Sequence, residues 1–390
     1  MKQSFLLEFP ISEYERRLKR LTDEMSLNNT DAIILTSDEN TYYFTGLDSI
    51  VRNSKISIPG VVVITKDKDM TLSTPKSEYE TAKITSCVED IRIYGANGYD
   101  TLVKAIVSIL YEKKIINGKI GLELGNGQKI SLNYYILKEL FKELRNADVT
   151  DAADILWNVR KIKSPMEIER IKKACEINVS AIRQALMLVE EGTTENELYS
   201  NIIQKCFKLG AEKSLVYGVR AGEERYSQSN CPPSDRPIHK GDIILIDGGP
   251  VYRGYCSDII REAVIGKPSS LQQEIFDVAR EACYVGIDKI KPGVPVNEVY
   301  KNVDAFLKRS GFSDIIPYTN WLGHSIGVGV HEYPLIDINT CELIMPGMVF
   351  AIEPYLYMPG VGSLGIEQNV LVTENGCEIL TDSDDRLIIL

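Results

Sequence analysis

Residues 11–27, ISEYERRLKRLTDEMSL, set Ile, Tyr, Leu, Leu and Met at helical spacing with Arg, Lys and Glu between them, which predicts an amphipathic helix. DAIILTS reads as a strand, and IPGVVVITKDKDMTLSTP as a hairpin turning at KDKD. TLVKAIVSILYEKKI is helical, KIGLELG a strand and YYILKELFKELRN helical again. This alternation predicts an α/β layer domain of about 150 residues. Near residues 155–163 the pattern changes. Ser164-Pro165-Met166-Glu167 then opens a long helix, with Ser164 at the N-cap, Pro165 at the first helical position and Glu167 closing a capping box. Its apolar positions run to Leu188, and Gly192 stops it. Two further helices are LQQEIFDVAREACYVGIDKI and VNEVYKNVDAFLKRS. The remaining β segments are DIILIDGG, YCSDIIREAVIG, VFAIEPYLY and GIEQNVLVTENGCEIL, with Asn375-Gly376 marking a tight hairpin. The expected organisation is residues 1–158 as an α/β domain and 159–390 as an α+β domain.

Composition narrows the possibilities. At about 150 residues per domain, a chain of 390 residues holds two or three domains. Apolar residues at 44% and charged residues at 25% exclude a disordered chain, a collagen and a coiled coil. No apolar run reaches the roughly 18–20 residues of a membrane span, and the apolar stretch in MKQSFLLEFP is too short for a secretory signal. A cytoplasmic protein with no membrane partner is expected. The net charge of −11 repels phosphate backbones, so nucleic acid is not an expected partner. Eight cysteines without a Cys-x-x-Cys pair read as reduced thiols and not as a zinc site. Histidine is limited to His239, His324 and His331.

Four β segments carry a carboxylate among apolar residues: Asp247 in DIILIDGG, Asp258 before Ile-Ile, Glu353 after Phe-Ala-Ile, and Glu367 before a Val-Leu-Val run. A single such residue is ordinarily a solvated strand end. Four within 150 residues point to a shared site, because a buried carboxylate needs a partner or a metal. Asp247 and Asp258 can face each other across a hairpin turning at GGPVYRGY, and Glu353 and Glu367 around MPGVGS. Together they would repel one another and raise each other's pKa, an objection that divalent cations remove. His324, in the glycine-rich GHSIGVGVHEYP, adds an imidazole. Four oxygen ligands and one nitrogen suit manganese, cobalt, iron or zinc. Two metals about 3.5–4 Å apart would turn a bridging water into hydroxide and polarise a carbonyl, which is chemistry for amide hydrolysis.

The same residues carry a resemblance. Asp247 and Asp258 in IDGGPVYRGYCSD, His324 in GHSIGVGVHE, Glu353 in AIEP and Glu367 in GIEQNVLVT resemble, in order, the Asp-Asp-His-Glu-Glu ligand set of the pita-bread metallohydrolases, the family of prolidase, aminopeptidase P, methionine aminopeptidase and creatinase. YERRLKRLTDEM, DAIILTSDENTYYFTGL and VRKIKSPMEIERIKKA resemble the creatinase-type N-terminal domain and its junction. The resemblance implies a pita-bread catalytic domain with pseudo-two-fold symmetry, two divalent ions with manganese foremost, and hydrolysis before proline in dipeptides or short peptides. It also implies a homodimer in which the partner's N-terminal domain borders the active site. Glu353 would both bind metal and relay a proton, and His331 would contact the substrate near the scissile carbonyl. Arg52, in GLDSIVRNSK, would offer a positive charge to a substrate carboxylate from the partner subunit.

Two positions depart from the proline-specific pattern. Asn230 stands where a substrate-contacting His is usual, and Gly365 where an Arg is usual. They keep open a metal-dependent C–N hydrolase or lyase acting on a small amide or other non-peptide amino-acid derivative. A non-catalytic interaction protein fits less well, because all five ligand types are retained. Gly323-His324-Ser325-Ile326-Gly327 also fits the G-x-S-x-G elbow of serine hydrolases. Only His331 follows that serine, six residues on, which leaves no room for the acid element.

Overall fold

Ala32–Leu35 (β1) and Val61–Thr65 (β2) are aliphatic runs buried at every position. A strand buried on both faces belongs at the centre of a covered sheet. These two are central in a six-stranded sheet ordered β4-β3-β2-β1-β5-β6, completed by β3 (Met70–Pro75), β4 (Asp90–Tyr94), β5 (Lys119–Leu122) and β6 (Asp148–Asp151). The hairpin turning at KDKD is β2–β3, paired antiparallel. Helix Ile11–Leu27 buries Tyr14, Leu18, Leu21 and Met25 along one stripe. The short helix Asp38–Thr45 was not legible in the pattern because Asn, Thr and Tyr fill it. The buried Glu123 carboxylate fixes its start by accepting from Thr36, Ser37 and Asn40. This computed structural model describes residues 1–53, 60–95, 99–228, 231–315, 321–381 and 385–390. The chain forms two compact units, Met1–Arg160 and Lys161–Leu390.

The second unit repeats one pattern along the chain: two helices, then antiparallel strands. Helix Pro165–Leu186 begins with the expected capping box, Ser164 Oγ accepting from the Glu167 N–H and the Glu167 carboxylate from the Ser164 N–H. It ends at Leu186, slightly before the expected Leu188, with Met187 as its cap. Helix Glu195–Lys208 follows, its buried apolar residues limited to Leu198, Ile202 and Cys206, a stripe too narrow to stand out in the sequence. Next come β7 (Lys213–Ala221), β8 (Ile243–Tyr252), β9 (Tyr255–Cys256) and β10 (Ile259–Val264). The second pass has helices Ser270–Ile287 and Val296–Ser310, then β11 (Trp321–Ser325), β12 (Glu332–Asp337), β13 (Val349–Ile352), β14 (Tyr355–Met358), β15 (Gly362–Gly365), β16 (Gln368–Val372) and β17 (Cys377–Ile379). β18 (Ile388–Ile389) returns to lie beside β10. The strands order as β18-β10-β8-β7 and as β12-β11-β13-β16-β17, with β14–β15 a separate hairpin. Asn375-Gly376 lies in the loop joining β16 to β17. Each helix pair covers a sheet with apolar contacts: Ile177, Ile182 and Ile202 cluster with Val219 and Ile246, and Phe276, Val299 and Val303 with Phe350 and Ile352.

Gly249, in β8, sets how closely Asp247 and Asp258 approach. A Cβ there would overlap the Ser257 carbonyl, so only glycine lets the two segments touch. Gly249→Ala is expected to cost about 1–3 kcal/mol, as overpacking of a close contact does. A lowered urea midpoint would report the loss, whereas an unchanged midpoint would show that the contact relaxes freely.

Candidate metal centre

Strand register brings the selected carboxylates together. β13 and β16 pair with Ile352 opposite Gln368, so Glu353 and Glu367 sit one residue beyond the same rung. β8 and β10 pair with Gly248 opposite Ile259, which sets Asp258 beside the Asp247 strand. His324 lies in β11, whose other neighbour is β13. Its Nε2 stands 3.4 Å from Glu353 Oε1, 3.8 Å from Asp258 Oδ2 and 3.9 Å from Glu367 Oε1. Three overlapping groups have ligand atoms within 4.8 Å of one another: His324, Glu353 and Glu367; Asp247, Asp258 and Glu367; and Asp258, His324 and His331.

These side chains are withdrawn from water. His324 is 0% exposed, Glu367 1%, Asp258 6% and Glu353 7%, while Asp247 is half-buried at the cavity. His324 Nδ1 donates to the Ser325 carbonyl at 3.0 Å, which fixes the tautomer and turns Nε2 to the carboxylates. Nε2 has no hydrogen-bond partner, nor do Asp258 Oδ1, Glu353 Oε1 and both Glu367 oxygens. Buried polar atoms without partners are rare in folded proteins, and here they face one another. Burial and the neighbouring carboxylates push the Asp258, Glu353 and Glu367 carboxyls well above their ordinary range. Burial raises Asp247 too, against the opposing charge of Arg220. Burial holds His324 neutral, down to about 4. Hard oxygens, one neutral imidazole nitrogen and unpartnered atoms fit divalent cations.

Surrounding polar groups hold these residues in place. Asn369 Oδ1 accepts from the Asp258 N–H at 3.1 Å and its Nδ2 donates to the Asp258 carbonyl. Asn178 donates to the Gly248 carbonyl, and Tyr217 to Asn178. The buried Arg261 donates to the Glu367 carbonyl, Gln368 and Thr381. Lys163 reaches Ser325 Oγ and Glu332. Ser325 is wholly buried within β11, not on an exposed turn, so it is no nucleophile elbow. None of these supporting residues was singled out by the sequence pattern. A lone Arg in an apolar strand, as at 261 or 220, is the same kind of signal as the carboxylates.

A cavity of about 970 Å³ opens over the cluster, lined among others by Tyr217, Arg220, Trp321, His331 and Tyr355. His331 meets the His324 ring edge-on, with centroids 4.4 Å apart, and Trp321 stacks on His324. His239 is exposed in its turn, away from the cluster. Gly365 donates its N–H to the buried Glu262. Asn230 lies outside the described residues, as does the side chain of Arg52.

Comparison with known proteins agrees with this geometry. The family model described as metallopeptidase family M24 matches residues 169–374, and that of the creatinase/prolidase N-terminal domain residues 17–162. The chain belongs to metallopeptidase family M24. It is 30% identical over 372 residues to a Xaa-Pro dipeptidase of Pyrococcus horikoshii, covering 95% of this chain and 98% of that one. The solved structure of a Xaa-Pro dipeptidase from Bacillus anthracis superposes with a TM-score of 0.84 at 27% identity, covering 97% of this chain and 100% of that one. An X-Pro aminopeptidase from Thermotoga maritima gives 0.82 at 26% identity, covering 96% and 99%. The creatinase-type N-terminal domain and pita-bread catalytic fold implied by the resemblance are both present. No helix among the described residues is long and apolar enough to cross a membrane.

The electrostatics set a pH test. With carboxyl pKa values raised in the metal-free fold, that fold holds more protons than the unfolded chain, so its stability falls as pH rises. His324 and His331, both pushed down to about 4, act oppositely, but only below their ordinary value of 6.5. Cation binding releases the carboxyl protons. The gap in Tm between metal-loaded and chelator-treated protein is therefore expected to widen between pH 6.5 and about 8. A constant gap in thermal melts would contradict the shared-carboxylate site.

Proposed function

We propose that this family M24 chain hydrolyses the bond before proline in Xaa-Pro dipeptides or short peptides, with two divalent ions, manganese foremost, held by Asp247, Asp258, His324, Glu353 and Glu367. The carrying observation is the meeting of the ligand atoms of these five side chains in overlapping groups, with Asp247, Asp258 and Glu353 lining one cavity and His324 Nε2, Asp258 Oδ1 and both Glu367 oxygens buried without a hydrogen-bond partner. The relatives named Xaa-Pro dipeptidase and X-Pro aminopeptidase support the proline preference. Divalent ions held by these residues would supply a water activated near neutral pH and a Lewis acid for the scissile carbonyl. Glu353 takes the proton of the attacking water at its carboxylate and delivers it to the departing proline nitrogen. The water oxygen completes the new carboxylate, and the free amine leaves. His331, neutral at the cavity wall, donates from its ring N–H to the carbonyl oxygen as negative charge builds there. Residues 1–158 form the N-terminal domain in this reading and 159–390 the catalytic one. The working form is a homodimer in the cytoplasm, the latter supported by eight unbridged cysteines.

Manganese-loaded protein is expected to release the first residue from Xaa-Pro dipeptides or Xaa-Pro-Yaa tripeptides, and a chelator to stop it. A folded, metal-loaded protein silent on every such peptide would refute the proline reading and turn screening to small amides. Asp258→Ala or Glu353→Ala is expected to lower turnover by more than about 10³-fold with the fold intact, since water activation and charge stabilisation fail together. Near wild-type rates in either variant would rule out the proposed centre. His331→Ala is expected to lower kcat by about 10²-fold while metal content, read by elemental analysis, stays unchanged.

A further inference from the structure

The cavity that meets the carboxylate cluster contains one opposing charge whose role the reaction above does not use. Among the described residues lining it, Arg220 is the single lysine or arginine. It lies in β7 and is 3% exposed, so its charge is held at the wall and not in bulk water. The register fixes what it faces. Arg220 pairs with Leu245, and Leu245 with Glu262 on the far side. Asp247 pairs with Gly218, two residues before Arg220, so Arg220 and Asp247 are diagonal neighbours on one face of the sheet. Diagonal neighbours stand about 7–8 Å apart at their roots. Gly218 has no side chain to fill the space between them. Gly365, where an Arg is usual, has no room for a side chain: a Cβ there would lie 2.5 Å from Tyr355 Cβ and 2.7 Å from the Pro354 carbonyl.

We propose that Arg220 is the specificity-determining anchor for the free carboxylate of the substrate, selecting peptides that end one residue beyond the bond cut. This rests on the peptidase reading above. A substrate entering a cluster of four carboxylates brings a carboxylate of its own, which needs a desolvated cation. Guanidinium suits a carboxylate because its planar donors match both oxygens, and five N–H groups can serve a wall carboxylate and a ligand together. The scale agrees. One residue of extended chain spans about 3.5 Å. A carboxylate one residue past the reacting carbonyl therefore falls between Asp247 and the root of Arg220, within reach of the side chain. A longer peptide carries its carboxylate past that reach and places a neutral amide there instead.

The test compares the manganese-loaded full chain with Arg220→Gln and Arg220→Lys on Ala-Pro and Ala-Pro amide. The wild type is expected to prefer the free acid. Arg220→Gln is expected to lose about 10–100-fold in kcat/KM on Ala-Pro, mainly through KM, and little on the amide. Arg220→Lys keeps the charge but not the fork and should fall between; it carries the comparison if the Gln variant does not fold. Equal loss on both substrates would mean that Arg220 only steadies Asp247 and Glu262, and would overturn the proposal. So would a collapse of the preference in Arg52→Gln with none in Arg220→Gln. Calorimetric titration with proline and prolinamide repeats the comparison without turnover. If neither peptide is cleaved, the peptidase reading fails, while wild-type binding of proline over prolinamide, lost in Arg220→Gln, still upholds the anchor. Equal binding of the two would overturn it.

Discussion

Four carboxylates and an imidazole nitrogen share a volume from which water is nearly excluded, and the catalytic unit is organised around making that arrangement tolerable. An ionised carboxylate taken from water without a partner shifts its pKa and neutralises. Several taken together repel as well. The raised carboxyls of Asp258, Glu353 and Glu367 express that conflict in the polypeptide alone. A divalent cation reverses the sign of the problem, turning mutual repulsion into a shared set of donors.

The fold supplies the rigidity that such a cluster needs. Two sheets each bring carboxylates on adjacent strands, and register sets their spacing, so no long flexible segment has to be ordered at the moment of binding. The hydrogen bonds that Asn369, Asn178 and Arg261 make in this cluster go largely to backbone groups of the acidic residues or of their neighbours. Asp258 Oδ1 and both Glu367 oxygens are thereby left for another partner. His324 follows the same logic, one ring nitrogen engaged by the Ser325 carbonyl and the other turned inward. A site whose supporting bonds stop one atom short of the functional groups is pre-organised for a ligand.

The surroundings of the cluster decide what can be recognised. Trp321, His331 and Tyr355 give the cavity an aromatic wall, and Arg220 gives it a cation. Gly365 is bare because the Tyr355 and Pro354 backbone crowds it. The cation of this pocket is thus carried by β7, a strand whose pattern LVYGVRAG did not stand out along the chain.

The sequence alone determined the acidic constellation. A carboxylate in an apolar strand is costly enough that four of them declare a shared purpose before any coordinates, and capping residues such as Ser164 declare their helix by local chemistry alone. Long amphipathic helices and aliphatic strands were equally legible, because their signal lies in residues three or four apart, or two. Helix Asp38–Thr45, helix Glu195–Lys208 and β7 were not: the first is started by the distant Glu123, the second buries only a narrow apolar stripe, and β7 is set by its pairing with β8. Only the tertiary structure decided which atoms are left without partners, which glycine permits contact, and that Arg220 lies diagonal to Asp247. Those are properties of strand register and burial, and they arise from residues distant in sequence meeting where water has been removed.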